Sequence, residues 1–207
     1  MMSNVAIIPA RMASSRFPGK PMALIEGIPM IGHVYMRTRM AQSLTDCWVA
    51  TCDTEIKAYI ESIGGKAVMT ANTHDRCSDR CAEAMLKIEE ATGQTNDVVT
   101  MVQGDEPLVT PDMVDVACRA LIDNPDCGVA CLAGEIETLD NFKDPNEVKV
   151  VVSKLGRAIY MSREAIPTPS RVEKMSAWKK QVCIIPFTRS YLLEFNATEP
   201  TPLEIAE

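Results

Sequence analysis

Apolar positions in this chain follow two rhythms, short unbroken runs and longer stretches spaced as on one face of a helix, and the two alternate through the first 127 residues. Val5-Ala6-Ile7-Ile8 is long enough for a buried strand and then breaks into a loop containing Pro18, Gly19 and Pro21. Residues 29–41 place Met30, Ile31, Val34, Tyr35 and Met40 at amphipathic helical spacing, with a proline in the first turn. Residues 47–51 form a second strand stopped at Cys52-Asp53, and residues 54–63 a helix capped by Asp53 or Thr54 and ended by Gly64-Gly65. Residues 66–70 are a third strand, residues 71–78 a polar loop, and residues 79–91 a helix with Ala82, Met85 and Ile88 inward and Lys87, Glu89 and Glu90 outward. Residues 97–103 make a central strand, interrupted at once by Gly104-Asp105-Glu106-Pro107, and Thr110 with Pro111 opens a helix over 111–122.

This alternation predicts an α/β fold of three layers, with a mainly parallel, mixed sheet carrying helices on both faces. After residue 127 the rhythm changes to strands at 128–133, 148–152, 158–161 and 182–187, with a hairpin turn at 154–157. Residues 167–180 are polar and hold two prolines, as in a mobile loop, and the final TPLEIAE starts a helix. A length of 207 residues suits a single domain, expected to divide where the rhythm changes into halves over 1–127 and 128–207.

Composition narrows the chemistry. At 46% hydrophobic and 24% charged residues the chain is an ordinary globular one. Its net charge of −7 argues against a general nucleic-acid binder, which needs an extended basic face. Against that acidic background the loop after the first strand concentrates Arg11, Arg16 and Lys20 among small residues, a combination suited to a polyphosphate. No apolar run spans a membrane and the N-terminus lacks the parts of a secretory signal, so a cytoplasmic location is expected. The eight cysteines contain no Cys-x-x-Cys pair and there are two histidines, a spacing that favours reduced thiols over zinc.

Ligands of open parallel sheets sit at the carboxyl ends of strands. Both the basic loop and the Gly104-Asp105 turn leave such ends, so Arg11, Arg16 and Lys20 would hold a triphosphate and Asp105 the accompanying Mg²⁺. A G-x-x-x-x-G-K-[ST] loop, a G-x-G-x-x-G fingerprint and a G-x-S-x-G elbow are all missing from the chain. His33 reads as structural, while His74 stays open between a structural and a functional role.

Three segments together resemble one family. Pro9-Ala10-Arg11-x-x-Ser14-Ser15-Arg16-x-Pro18-Gly19-Lys20-Pro21, Gly27-x-Pro29-Met30-Ile31-x-His33-Val34 and Val102-Gln103-Gly104-Asp105-Glu106-Pro107-Leu108 look like those of the 3-deoxy-manno-octulosonate cytidylyltransferases, the CMP-Kdo synthetases. Similarity continues through Asn146-x-Val148-Lys149-Val150-Val151, Tyr160-x-Ser162-Arg163-x-x-Ile166-Pro167 and Pro202-Leu203-Glu204-x-x-Glu207. The resemblance implies a nucleotide-diphospho-sugar transferase-like fold. It also implies a Mg²⁺-dependent, usually dimeric enzyme that joins CTP to a keto sugar acid and releases pyrophosphate, for surface polysaccharide synthesis. Position by position it implies Arg11, Lys20 and Asp105 as catalytic, Asp105 being the metal ligand. Ala10, Met12, Ala13, Ser14, Arg16, Cys77, Ser78 and Arg80 fall on the nucleotide side, and Gln103, Arg80, Arg163, Gln181, Glu204 and Glu207 on the sugar side. The half over 1–127 would then bind the nucleotide, and the half over 128–207 would serve sugar binding and dimerisation.

The chain also departs from the family. Where the family reads His-Gln-Ser-Gly-Thr-[Asp/Glu]-Arg this sequence has His74-Asp75-Arg76-Cys77-Ser78-Asp79-Arg80, which leaves the base open to variation. Gln181-Val182-Cys183-Ile184-Ile185-Pro186-Phe187 replaces a histidine and aromatic residues on the sugar side, which admits a different sugar acid. A second metal-binding aspartate, which the family carries after its Pro-Leu-Glu motif, has no counterpart up to Glu207. The alternatives are therefore a nucleotidyltransferase of the same fold with another nucleotide or sugar, and a nucleotide-binding homologue without turnover.

Overall fold

The computed structural model describes residues 2–13, 17–169 and 178–206. In chain order its elements begin with β1 (Asn4–Ala10), a one-turn 3₁₀ helix (Lys20–Met22), β2 (Leu24–Ile25), β3 (Ile28–Pro29), α1 (Met30–Thr38) and β4 (Asp46–Thr51). There follow α2 (Thr54–Ser62), β5 (Ala67–Met69), α3 (Cys77–Thr92), β6 (Val98–Val102) and α4 (Pro111–Ile122). The remainder is β7 (Leu132–Glu135), α5 (Leu139–Lys143), β8 (Lys149–Val152), β9 (Ala158–Ser162), β10 (Lys179–Val182), β11 (Ile184–Thr188), α6 (Arg189–Ala197) and α7 (Pro202–Ala206).

Every residue of β1 is buried, which is the signature of a strand covered on both faces. It pairs in parallel with β4 on one side and β6 on the other, and the five-stranded order is β11-β6-β1-β4-β5 with β11 alone antiparallel. Alternate side chains leave opposite faces. Val5 and Ile7, with Ala50, Val99, Met101 and Phe187, pack against Cys81, Ala84, Met85 and Ile88 of α3 and Leu192 of α6. Asn4 faces the other way, toward Cys118 of α4, and its buried amide is satisfied: Nδ2 donates to Ser43 O at 3.1 Å and Oδ1 accepts from Thr100 Oγ1 at 2.8 Å. The three-layer, mainly parallel architecture expected from the sequence is the one observed.

These elements belong to a compact unit of Met1–Ala130 and Cys183–Thr198; Cys131–Val182 and Glu199–Glu207 form a second unit. The units thus follow the chain differently from the contiguous halves expected, because residues 183–198 return to the first sheet. The single strand expected at 182–187 is two strands, β10 in the second unit and β11 in the first. At 128–133 only an isolated bridge, Val129 to Phe187, precedes β7. Helix α6, absent from the sequence reading, starts where Thr188 Oγ1 accepts from Tyr191 N. Helix α3 starts at Cys77, two residues ahead of the expected start, which moves Cys77 and Ser78 from the loop into the first helical turn.

The second unit is an antiparallel sheet of order β7-β10-β8-β9. Its hairpin turn closes with Ser153 N donating back to Arg157 O at 2.8 Å, over a left-handed Gly156, as the 154–157 reading expects. Its small core is Ile136, Phe142 and Trp178, the last two stacked with centroids 4.2 Å apart. Of the loop expected over 167–180, residues 170–177 lie outside the described residues and 179–180 begin β10. Among the described residues no helix is long and apolar enough to cross a membrane.

Candidate active site

Parallel register carries distant residues to the same level. The β1–β6 register runs from Asn4 opposite Val98 to Ile7 opposite Met101, and beyond it Gly104 still lies against Pro9 O and Ala10 Cβ, so the loops that carry Arg11 and Asp105 leave the same edge of the sheet. β1 pairs with β4 with Ala10 opposite Thr51, which brings Met12 level with Asp53. The chain leaves β1 toward β4 on one side and reaches β6 on the other, so the carboxyl ends of β1 and β6 flank the switch in strand order, where such sheets bind ligands.

A glycine permits the close approach at this point. A Cβ on Gly104 would lie 2.7 Å from Pro9 O, 3.3 Å from Ile31 Cδ1 and 3.4 Å from Ala10 Cβ. The basic loop is folded back by Gly19, left-handed at φ 74°, whose N–H donates to Met12 O at 3.0 Å. Lys20 then reaches Asp105: Nζ and Oδ2 are 2.7 Å apart across a sequence separation of 85. Their side chains are 36% and 44% exposed, so the pair contributes only about 0–1 kcal/mol to stability and the fold does not depend on it.

Arg11 is held from another side. Its Nη1 donates to His74 O at 3.3 Å, and the segment bearing that carbonyl is fixed to α3 by Glu83. The Glu83 carboxylate accepts from Ala71 N at 2.9 Å, pairs with Lys87 Nζ at 2.7 Å and also pairs with His74 Nε2. Desolvation alone would raise the Glu83 carboxyl, but hydrogen bonds from Lys87, His74 and Ala71 outweigh it and hold the group at about 2. The N-terminus of α3, without a side-chain cap, opens on the same edge of the sheet. Cys77 in its first turn senses the neighbouring charges: desolvation and then Asp105 push its thiol up, while Arg11 and Arg80 pull it down.

Other expected residues are placed as follows. Ala10 is the buried end of β1 and Ala13 is exposed. The Met12 amide donates to Asp53 Oδ2 at 2.8 Å. Ser78 is buried behind Cys77. Arg80 is 3% exposed, and its guanidinium turns into the fold, with Nη1 donating to Thr70 Oγ1 and Ala71 O and Nη2 buried without a partner among the described residues. Gln103 directly follows β6, its N–H donating to Cys183 O at 3.1 Å. In the second unit the exposed Arg163 donates from Nη1 to Pro145 O at 2.9 Å, and Gln181 Nε2 donates to Cys131 Sγ at 3.4 Å. Glu204 and Thr201 cap α7 reciprocally, Thr201 N donating to Glu204 Oε2 at 2.7 Å and Glu204 N to Thr201 Oγ1 at 3.3 Å. Ser14, Arg16 and Glu207 lie outside the described residues.

Sequence reasoning missed two residues that shape this edge. Asp53, one of the two caps expected for α2, does stand at its N-cap, yet its side chain makes no cap bond and holds Met12 instead. Its position two residues past the end of β4, on the edge where the parallel strands end, is the signal that could have found it. Glu83, which fixes the segment under Arg11, lies on a helix face and carries no local signal. His33 accepts its structural reading, with Nε2 against Ile25 O at 2.8 Å.

Similarity to known proteins runs along the whole chain. The family described as Cytidylyltransferase matches residues 5–207. A 3-deoxy-manno-octulosonate cytidylyltransferase of Pelobacter propionicus is 40% identical over 216 residues, taking in 100% of this chain and 82% of the relative. One of the same name from Escherichia coli is 38% identical, over 100% of this chain and 81% of its own. The solved structure of a CMP:2-keto-3-deoxy-manno-octonic acid synthetase complexed with CTP superposes with a TM-score of 0.89 at 37% identity, covering 99% of this chain and 81% of that one.

Proposed function

The chain belongs to the cytidylyltransferase family, and from that premise we propose that it activates a 2-keto-3-deoxy sugar acid, Kdo or a close relative, with CTP, giving a CMP-sugar and pyrophosphate. The observation that carries this reading is the meeting of Lys20 and Asp105 at 2.7 Å on the switch point of the sheet. A cation and a carboxylate that contribute almost nothing to the fold, brought together from loops far apart in sequence, match the two sides of a metal-complexed triphosphate.

In this reading Arg11, Lys20 and Arg16 neutralise and orient the phosphates, and Ala10, Met12, Ala13, Ser14, Cys77, Ser78 and Arg80 shape the nucleotide's surroundings. Asp105 suits Mg²⁺: its carboxylate is half-exposed at the strand end, and Mg²⁺ characteristically takes one or two carboxylates and fills its shell with water and substrate phosphate. When bound there, the ion neutralises phosphate charge and lowers the pKa of the attacking sugar hydroxyl. The protein's own part is positioning and charge neutralisation around the α-phosphate, without a covalent intermediate. Gln103, Arg80, Arg163, Gln181, Glu204 and Glu207 are assigned to the sugar acid, whose carboxylate calls for a guanidinium. A cytoplasmic homodimer completes the reading. The exposed Ile159 and Tyr160 on edge strand β9 offer apolar surface for pairing, which sedimentation velocity checks.

The deciding experiment is a pyrophosphate-release screen of the four nucleoside triphosphates against a panel of keto sugar acids. Release with CTP and Kdo, and with no purine nucleotide, supports the proposal. CTP binding without release under any sugar acid, or a preference for a purine, overturns it.

A further inference from the structure

Lys149, the first residue of β8, is fully buried although it carries an ammonium group. A buried charge is tolerated only where its donors are met. Here all three are: Nζ donates to Asp144 O at 2.8 Å, to Glu147 O at 2.6 Å, and to Arg163 O. The acceptors are neutral carbonyls. Desolvation, with Arg163 beside it, lowers the Lys149 pKa against the opposing charges of Asp144, Glu164 and Glu147, and the Glu147 carboxylate is itself taken by Lys180 Nζ at 2.8 Å.

The three carbonyls come from two places, the turn at 144–147 and the residue immediately after β9. Arg163 closes a circuit between them, because its guanidinium returns to the same turn, Nη1 donating to Pro145 O at 2.9 Å. The turn is further stiffened by Asp144 Oδ1, which accepts from Asn146 N at 2.8 Å and from its Nδ2 at 2.9 Å. One ammonium therefore holds both the backbone that bears Arg163 and the turn on which the Arg163 side chain rests. An exposed arginine left to itself samples many rotamers, and ordering it at the moment of binding weakens the bond it can make.

We infer that Lys149 is the positioning residue that presents Arg163 to the carboxylate of the sugar acid. The inference rests on the reading above, in which Arg163 is a sugar-acid contact, and adds a residue that touches no substrate group and acts through Arg163.

Lys149→Met preserves length and removes the charge. Its KM for the sugar acid should rise about tenfold while the KM for CTP moves less than about twofold, the scale expected when a contact residue is displaced without loss of the site. Arg163→Ala should raise the same KM, and Lys149→Met added to it should change little more, because the two act on one interaction. Amide hydrogen exchange, read by mass spectrometry, should quicken at 144–147 and 163 in Lys149→Met while β1 and β6 keep their protection, and Lys149→Arg should recover part of both effects. The inference is overturned if both KM values and kcat shift together, if the two substitutions multiply, or if Lys149→Met fails to fold by circular dichroism, since Lys149 would then serve the fold as a whole. Absence of turnover in the unmodified protein overturns the functional reading instead; the exchange measurement then decides alone, with unchanged exchange at 144–147 and 163 sinking the role of Lys149.

Discussion

Replacing Gly104 by alanine adds one methyl group where the acidic turn leans on the end of β1. That Cβ would stand 2.7 Å from Pro9 O, and restoring ordinary contact at 3.4 Å requires the turn and the strand end to part by about 0.7 Å. The contact that has to give cannot swing aside: Pro9 O is backbone of a buried central strand, and the next contacts, Ile31 Cδ1 and Ala10 Cβ, lie farther off at 3.3 Å and 3.4 Å. Overpacking of this kind costs about 1–3 kcal/mol, which for a chain of this length lowers the melting temperature by roughly 2–12 °C. The displaced turn carries Asp105, and a shift approaching 1 Å at a catalytic group costs up to about a hundredfold in rate. Gly104→Ala should therefore melt earlier in differential scanning fluorimetry and release pyrophosphate about 10–100-fold more slowly. Gly93→Ala is the matched control, because Gly93 is left-handed at φ 68° with open space around its Cβ position. It should lose about 1 kcal/mol of stability to backbone strain alone and keep full turnover. If Gly104→Ala retained both the melting temperature and the turnover of the unmodified chain, the close approach of the two strand ends would not hold the site together.

Asp105→Asn should fold and melt like the unmodified chain, within about 1 kcal/mol, since its ion pair is exposed. Its Mg²⁺-dependent turnover should fall by about a thousandfold or more, and normal activity would remove Asp105 from the metal site. Lys20→Ala should raise the KM for CTP by about tenfold through loss of a charge-assisted phosphate contact, with the circular dichroism spectrum intact; an unchanged KM would place the triphosphate elsewhere. Glu83, held at about 2 in the folded state against an ordinary 4.5, contributes stability that is complete above about pH 4.5 and is lost as pH falls toward 2. Acid titration followed by circular dichroism should show that part of the limb flattened in Glu83→Gln, and an identical limb would refute the carboxylate's role in anchoring residues 71–74.

Much of the first unit is legible in the residue pattern because its strands and helices announce themselves locally. Val5 to Ile8 forms a continuous apolar run since a central parallel strand is buried on both faces, and residues 79–91 show helical periodicity since only one face of α3 meets the sheet. The cations of the first loop and the Gly104-Asp105 turn are likewise local signals, placed on one edge by the rule that parallel strands end together. Helix α6 was missed although Thr188 at its start and Tyr191, Leu192 and Phe195 at helical spacing mark it locally, and the passage of the chain between units at residues 182 and 183 escaped because β10 and β11 are separated by a single residue and read as one run.

By itself, then, the order of residues determined the α/β alternation, the concentration of positive charge after β1 and the chemistry that such charge suits, since each depends on neighbours along the chain. Tertiary structure alone decided that Lys20 stands 2.7 Å from Asp105, that Asp53 spends its carboxylate on Met12 rather than on its own helix, and that Glu83 and Lys149 hold the segments bearing on Arg11 and Arg163. These are contacts between segments distant in sequence, created by sheet register and by backbone groups that had to find partners once buried, and no spacing along the chain encodes them.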